Sequence, residues 1–471
     1  MGSATRDRLR KGRGAGFVAA LAGGATDDLV ECVLDDPRWD QQVEDRADYY
    51  ARLFIATGAS MEPLRRRLAE PDDEADISDF WLPAGVVAEM ALRGHATASQ
   101  ALADTVASGA HWRICIDALG GVGGVELVNN IVTADHVAAL VARVTSEELA
   151  DAGKWLMAPW ETWAERVPAL QFVVRAASES ASEAHPIAGP IGWAAKQLRR
   201  PEPPANLTSL SSAQLLAVGC NNWRDATKVA NVLAQRRDEE TLRLLVSTAE
   251  SGALAPRVVA LHALGKLGSP ALLASAVEFL RRESTLEEEV RREHRLRRAY
   301  VRYLEGLPPS DTLTLAREWF HEPWPLSFAA EQILALHATP DDRPMLEAAG
   351  ATALAESTMY RRCSLVDALR TAGPAPTLPL LCAVYQQVPY SYARWRVVEA
   401  LGECAAGGAP SGAAREFLTE ALWDCESGAR VVACRALESS TTTASRLFEL
   451  ANDAHEDDEV RAAAKSKLGL P

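Results

Sequence analysis

Apolar residues recur along most of the chain with the spacing of an amphipathic helix. In the segment 257–265, Arg-Val-Val-Ala-Leu-His-Ala-Leu-Gly, Ala260, Ala263 and Leu264 fall on one helical face. The two alanines would let a neighbouring helix approach closely, and Gly265 is placed where a C′ glycine ends a helix. The pattern predicts a short stacking helix that stops at Gly265.

The same spacing of small and large apolar residues recurs along the chain. Further copies begin at positions 85, 112, 298, 327, 362, 394, 430 and 461. From 257 onward the starts lie between 29 residues (298 to 327) and 41 residues (257 to 298) apart. An apolar helix precedes each copy, such as 413–422 before Arg430. This period is typical of helix–turn–helix units that stack into a solenoid.

These strings resemble HEAT and HEAT-like (phycobilisome-lyase-type) repeats, whose second helix typically reads Val-Arg-x-x-Ala-x-x-Ala-Leu-Gly. The best matches are 257–265 and the string that begins at Val460-Arg461. The resemblance covers 257–471 well, 80–120 fairly and 121–256 faintly. It implies an all-α fold, an α-solenoid (superhelix) of stacked antiparallel helix pairs, HEAT/armadillo-like. In such families an acidic residue just before the arginine pairs with it, as Asp458 could with Arg461 and Glu426 with Arg430.

A proline-rich segment near the middle of the chain interrupts the series of predicted helices. Residues 199–206 read Arg-Arg-Pro-Glu-Pro-Pro-Ala-Asn, which cannot be helical through its prolines. We therefore predict irregular helical repeats over 1–200, a hinge over 201–206 and HEAT-like repeats over 207–471. One continuous solenoid remains an open alternative.

Composition and charge narrow the classes of function. Hydrophobic residues make up 48% of the chain, which is enough for a continuous core. The net charge of −15, from 49 basic and 64 acidic side chains, disfavours contact with phosphate backbones. The excess of Arg over Lys is typical of a GC-rich bacterial genome. Eight cysteines without a CxxC pair, no apolar run of about 18 residues and a basic N-terminus without an apolar core predict a cytoplasmic protein.

The sequence contains no recognisable catalytic motif. Its nine histidines form no HExxH, and there is no GxSxG or P-loop. The glycine-rich string 120–124 follows a predicted helix, so we expect a helix-terminating loop. The di-iron hydroxylases built on HEAT repeats need paired His-Glu motifs that are missing here. We predict no catalytic, cofactor-binding or metal-binding residues, and favour a non-catalytic scaffold that holds a protein or peptide on its concave face over an enzyme.

Three segments are candidates for holding a partner. The first is the charged helix predicted over 281–298, which has arginines concentrated at its C-terminal end: Arg291, Arg292, Arg295 and Arg298. Its glutamates and arginines can also neutralise each other at i, i+4. The segment is therefore either a solvated helix or a docking site for an acidic partner or nucleic acid.

The second candidate is the aromatic segment 35–54. Asp36 would cap a helix with Pro37 at its first position. Trp39, Arg46 and Tyr50 would then share one stripe, with Tyr49 beside it. Such a stripe either packs in the core or, together with Arg38, contacts a partner. Because adjacent residues on a helix point apart, we expect at least one tyrosine hydroxyl to be exposed.

The third candidate is a cluster of tryptophans around a proline. Trp155, Trp160 and Trp163 lie within nine residues. They either pack on each other or line a groove for a peptide or small apolar ligand. A pocket in this cluster would favour the alternative that the protein is an enzyme or a substrate-handling accessory.

Overall fold

The chain folds into two compact units, and every regular element in the described residues is helical. One unit is formed by Met1–Arg200 together with Gln387–Pro471, and the other by Pro201–Gln386. The computed structural model describes the following residues: 4–23, 25–41, 43–70, 77–144, 167, 171, 206–219, 223–285, 294–356, 359–373, 377–406, 412–438 and 440–471. The all-α prediction is confirmed for these residues.

The amino-terminal part of the first unit consists of short helices joined by tight turns. They are α1 (Ala4–Arg10), α2 (Gly14–Leu21), α3 (Thr26–Leu34), α4 (Ala47–Thr57), α5 (Glu62–Ala69), α6 (Trp81–Leu92), α7 (Ala96–Ser108), α8 (Trp112–Ile131) and α9 (Ala134–Arg143).

The second unit contains the next series of helices. They are α10 (Ser212–Gly219), α11 (Trp223–Ala234), α12 (Glu239–Ser251), α13 (Leu254–Lys266), α14 (Leu273–Ser284), α15 (His294–Glu305), α16 (Pro309–Trp319), α17 (Leu326–His337), α18 (Arg343–Glu356), α19 (Met359–Thr371) and α20 (Leu378–Gln387).

The carboxyl-terminal helices belong to the first unit again. They are α21 (Ser391–Ala406), α22 (Gly412–Ala421), α23 (Ser427–Ala436), α24 (Thr441–Asn452) and α25 (Asp458–Leu468). This grouping differs from the predicted division, in which 387–471 belongs with the repeats of 207–471. The grouping follows from contacts between residues hundreds of positions apart, which a linear pattern does not contain. Apart from Asn206, the predicted hinge lies outside the described residues.

Helices in both units pack on the next helix and on the next but one. In the second unit, α13 contacts α12 and α15, and α17 contacts α16 and α19. In the first unit, α6 contacts α4 and α8, and α23 contacts α21 and α25. The small-residue faces make this possible: Ala260, Ala263 and Leu264 are completely buried. The prediction that these three residues form a packed face is therefore confirmed for the segment 257–265.

The prediction that Gly265 ends its helix is wrong. Helix α13 continues to Lys266, and the residue with left-handed backbone is Gly268, at φ +64°. The Gly268 N–H donates to Gly265 O and the Ser269 N–H to Leu264 O, the pairing of a Schellman motif. Gly265 serves close packing instead, because a Cβ there would lie 3.0 Å from the backbone of Tyr303.

The glycine-rich string 120–124 is likewise not a loop after a helix. Helix α8 runs through it and is interrupted only at Gly124, where φ is +64° and ψ −161°. By length and composition α8 is the one described helix apolar enough to cross a membrane. The break at Gly124 divides it into pieces shorter than the roughly 20 residues that a span needs.

Tyr303 offers a test of how the second unit is held together. Its hydroxyl is buried, donates to Ser269 O at 2.7 Å and accepts from the Leu272 N–H at 3.0 Å. Tyr303→Phe leaves the Leu272 N–H without this partner, so we expect unfolding to become easier by about 1 to 3 kcal/mol. The measurement is urea unfolding followed by circular dichroism.

Tyr300→Phe is the matched control on the same helix. No hydrogen bond between its hydroxyl and the described residues is seen, and its removal should change the free energy of unfolding by less than about 0.5 kcal/mol. Equal destabilisation by the two substitutions would contradict the role assigned to the Tyr303 hydroxyl.

Candidate functional site

The amino-terminal segment of the first unit lies directly against its carboxyl-terminal helices. The Cys425 N–H donates to Gly12 O at 3.0 Å. The Arg13 guanidinium binds Glu420 through two parallel hydrogen bonds, at 2.8 and 2.9 Å, and both side chains are largely buried. Bidentate pairs of this kind fix orientation as well as adding energy. The two segments therefore meet in a defined register.

A completely buried ion pair anchors the loop before α4. Glu44 and Arg46 lie 2.5 Å apart, and neither side chain is exposed to solvent. Arg46 also donates to Pro389 O at 2.9 Å, and Glu44 accepts from the Ser391 N–H at 2.9 Å. Each charge thus has a partner on the carboxyl-terminal segment, and breaking the pair would leave a buried charge.

The pKa values of this pair reflect both burial and attraction. Burial disfavours the charged form of Glu44, but the Arg46 guanidinium and the Ser391 N–H outweigh it, so the pKa of Glu44 lies below its ordinary value. Burial likewise works against charged Arg46, and the Glu44 carboxylate more than offsets it, so the pKa of Arg46 is raised. Both groups are charged at neutral pH.

A second charged cluster joins α4 to the last helices. Arg52 contacts Asp48 at 2.7 Å on its own helix and Glu456 at 3.2 Å before α25. Arg430 contacts the same Glu456 at 2.6 Å. Asp48 lies 3.8 Å from Arg430, and the Arg93 guanidinium also contacts it. Burial raises the pKa of Asp48, but the three arginines together hold it below its ordinary value.

Two arginines of the repeated pattern, Arg394 and Arg430, pair with acids further along the chain. Arg394 on α21 lies 3.4 Å from Asp424, and Arg430 on α23 pairs with Glu456; each acid immediately precedes the next packed helix. The expected pairing of Arg430 with Glu426 is wrong, because the Glu426 carboxylate accepts from the Ser391 hydroxyl instead. The expected contact of Arg461 with Asp458 is present on α25.

The helix predicted from Asp36 is also not observed. The described residues of this segment, 35–41 and 43–46, contain no helix, and α4 begins at Ala47. Asp36 accepts from the Arg38 N–H at 3.0 Å and pairs with the Arg38 guanidinium, so it closes a turn. Glu44 accepts the N–H groups of Trp39 and Asp40 and closes the loop. Local side-chain hydrogen bonds compete here with helix formation.

Both adjacent tyrosines of α4 are buried, contrary to the expected exposed hydroxyl. Tyr49 donates to Arg13 O at 2.8 Å and Tyr50 to Leu9 O at 2.9 Å. Leu9 on α1 and Arg13, the N-cap residue of α2, supply the two carbonyl acceptors, which the spacing within 35–54 does not reveal. Arg46 is buried as well, so Tyr49, Tyr50 and Arg46 serve the interior of the unit.

Trp39 differs from the other residues proposed in this segment. Its side chain is 52% exposed, and that of Val43 on the same loop is 49% exposed. Exposed large apolar side chains that lie together are a feature of contact surfaces.

The other two predicted segments are described only in part. Arg295 and Arg298 are exposed on α15, as expected for a solvated face. Arg297 between them is buried against Glu283 at 3.0 Å and lies over the Trp324 ring. Five further candidate residues lie outside the described residues, and their roles stay predictions: Arg291, Arg292, Trp155, Trp160 and Trp163.

A pocket of about 370 Å³ opens beside the Trp39 loop. It lies where the amino-terminal ends of α21, α23 and α25 meet, with Val43 completing the wall. Its lining is aromatic, aliphatic and acidic: Val43, Tyr392, Trp395, Glu426, Ser427, Gly428, Val431, Asp457 and Glu459. The sequence analysis did not single out this set, although the aromatic string 390–395 directly after a proline was a usable signal.

Trp395 forms the rigid wall of this pocket. Its ring meets Tyr392 edge-on, with centroids 5.0 Å apart. A Cβ at Gly428 would lie 2.6 Å from the indole, so glycine at this position lets α23 approach the ring. The Arg396 guanidinium lies 4.7 Å above the Tyr392 ring and holds it from one side.

The acids of the pocket differ in their environment. Asp457 caps α25, accepting from the N–H groups of Glu459 and Val460, and Glu459 is exposed. Glu426 is more enclosed: burial raises its pKa to about 7, against the hydrogen bond from Ser391, while the charge of Asp424 raises it further. At neutral pH Glu426 is therefore close to its titration midpoint.

Comparisons with known proteins do not assign the chain to a family. No protein-family model matches it, and no curated protein matches it. Within the part of the chain that the structure describes, no group of three or more His, Cys, Asp and Glu side chains is arranged to hold a metal ion.

Arg430→Met tests the buried charges between α4 and α25. The substitution leaves Glu456, which is completely buried, with Arg52 as its remaining cation. We expect the free energy of unfolding to fall by about 3 to 5 kcal/mol in urea titrations. Arg65→Met, which removes an exposed pair with Glu62, is the control and should cost less than about 1 kcal/mol. Similar losses in both variants would contradict the assignment.

Glu426→Gln gives a prediction for pH dependence. The pKa of Glu426 is raised from 4.5 to about 7 in the folded chain, so the folded state binds this proton more tightly than the unfolded state. Wild-type stability should therefore fall relative to the variant as pH rises from about 4.5 to about 7. Urea unfolding of both proteins across this range measures the difference. A difference that is constant with pH would disprove the environment described for Glu426.

Proposed function

We propose that this protein is a non-catalytic scaffold, an α-solenoid of HEAT-like helix pairs, that binds a protein or peptide partner. The observation that carries the proposal is the pocket where α21, α23 and α25 meet. It combines a tryptophan, a tyrosine and aliphatic side chains with carboxylates. Aromatic residues in partly enclosed sites are typical anchors of protein interfaces.

The packing of the helices supports the solenoid part of the proposal. Each stacking helix contacts its immediate neighbour and the next but one, as α23 does with α22, α21 and α25. The same relation recurs along both units with small residues at the contacts. Repeat proteins are built in this way, and they present extended concave surfaces to their partners.

The surroundings of the pocket support the binding part. Trp39 and Val43 are large apolar side chains exposed on one loop, and Val43 belongs to the pocket wall. The buried Glu44–Arg46 pair fixes this loop on the carboxyl-terminal segment. The site is thus preformed, which limits the entropy lost when a partner binds. Nucleic-acid binding through 281–298 and a ligand site at 155–163 remain alternatives from the sequence.

Site-specific photocrosslinking tests the proposal. A photoreactive phenylalanine analogue at Val43, introduced in cells of the native host, should give crosslinks to a reproducible protein partner. The same analogue at Ile55, an exposed apolar position on α4 of the same unit, is the control and should give none. Crosslinks to no protein at Val43, or equal products at both positions, would count against partner binding at the pocket.

A further inference from the structure

The described charged side chains that line the pocket are all acidic. Glu426, Asp457 and Glu459 belong to its lining, and none of the described lining residues is Lys or Arg. Two arginines on the same helix as the wall have partners of their own: Arg394 contacts Asp424, and Arg396 lies on the Tyr392 ring. A positive group that enters the pocket would meet carboxylates with no competing cation in the lining.

The aromatic wall of the pocket also favours a positively charged ligand. The negative face of an indole attracts ammonium and guanidinium groups within about 6 Å, more strongly than tyrosine or phenylalanine rings do. The Tyr392 ring already accepts the Arg396 guanidinium, so Trp395 is the ring left for a ligand. Val43 and Val431 provide aliphatic surface for the stem of a long side chain.

The helix ends at the pocket do not reverse this preference. Each helix N-terminus carries a partial positive charge of about +0.5, which by itself would favour an anion. At α25 the Asp457 carboxylate caps the N-terminus and neutralises it. Glu426 is the N-cap residue of α23, and its full charge when ionised exceeds the partial charge of the helix. The net field at the pocket is therefore negative.

We infer that this pocket receives a basic side chain, lysine or arginine, from an exposed segment of a partner protein. The inference rests on the proposed function and adds the chemistry of the ligand. The ammonium or guanidinium group lies over Trp395 and beside Glu426, with the alkyl stem against Val43. A volume of about 370 Å³ is at the lower end of the range for ligand pockets and is large enough to admit one long side chain.

Occupancy by a cation would depend on pH through Glu426. The charged groups that face this carboxyl are Asp424 from its own loop, Arg394 from α21 and Glu44 from the loop before α4. Ser391 donates a hydrogen bond to it, and Asp457 and Glu459 share its pocket. Since burial brings the pKa of Glu426 to about 7, the carboxylate becomes fully charged only above neutral pH. Affinity for a cation should therefore rise from about pH 6 to about pH 8.

Peptide selection followed by side-chain replacement is the test. Short random peptides displayed on phage are selected on the full-length protein, and the tightest binders are synthesised with a fluorescent label. Each Lys or Arg in them is then replaced by norleucine, citrulline or Glu. We expect one basic position at which neutral replacement weakens binding at least about tenfold, measured by fluorescence anisotropy at low salt.

Variants of the protein test whether the basic residue of the peptide binds in the pocket. In Trp395→Ala the basic peptide should lose about tenfold in affinity, and replacing its basic residue should then have a much smaller effect than in wild type, because only the carboxylates still attract it. Glu426→Gln should weaken binding about fivefold at about pH 8 and abolish the rise in affinity with pH. Glu438→Gln, at an exposed acid between α23 and α24, is the control and should behave like wild type. Circular dichroism establishes that each variant is folded, and Trp395→Phe replaces the alanine variant if that one is not.

The possible outcomes separate this inference from the proposed function. Peptides that bind without any basic requirement, or whose binding is unchanged in both the Trp395 and Glu426 variants, overturn the inference and leave partner binding in place. Failure to select any peptide, when Val43 still crosslinks to a protein, also overturns it. Failure of both selection and crosslinking removes the proposed function together with the inference.

Discussion

The first unit depends on a buried ion pair, Glu44 with Arg46. Two charges with no solvent exposure are stable only when they are paired and hydrogen-bonded, and Pro389 and Ser391 supply further hydrogen bonds to this pair. The loop before α4 therefore reaches its structure only on the carboxyl-terminal segment. This requirement couples residues more than 340 positions apart and explains why 387–471 belongs to the same compact unit as the start of the chain.

Buried ion pairs also connect α4 with the last helices of the chain. Arg430 on α23 forms an ion pair with Glu456, which precedes α25. Arg52 on α4 contacts the same carboxylate. Apolar stacking alone would tolerate small shifts between successive helices, because hydrophobic contact is not directional. Hydrogen-bonded charges are directional, and a shift of one helix would leave one of them unpaired and buried. Arg394 and Arg430 thus fix how α21, α23 and α25 pack on one another.

The pocket is a consequence of that packing. Helices α21, α23 and α25 pack on one another in sequence with their amino-terminal ends at one edge. The residues at those ends are the cap and first-turn residues, which are commonly acidic because of the helix dipole. Acids that cap helices therefore gather at one site, and the aromatic string that opens α21 gives that site its wall. The fixed loop carrying Val43 closes it. The same few turns serve helix packing and capping, and they line the proposed binding site.

The sequence by itself determined the helical class and the stacking faces, because helical periodicity and small-residue spacing are local properties of the chain. Ala260, Ala263 and Leu264 were identified as a packed face from their spacing alone. Tertiary structure decided what depends on distant partners. Tyr49, Tyr50 and Arg46 were expected in part at the surface, but α1, α2 and the carboxyl-terminal segment bury them. Trp395 and Glu426 became one site only when α21 and α23 packed together, because no local pattern records which helix ends meet.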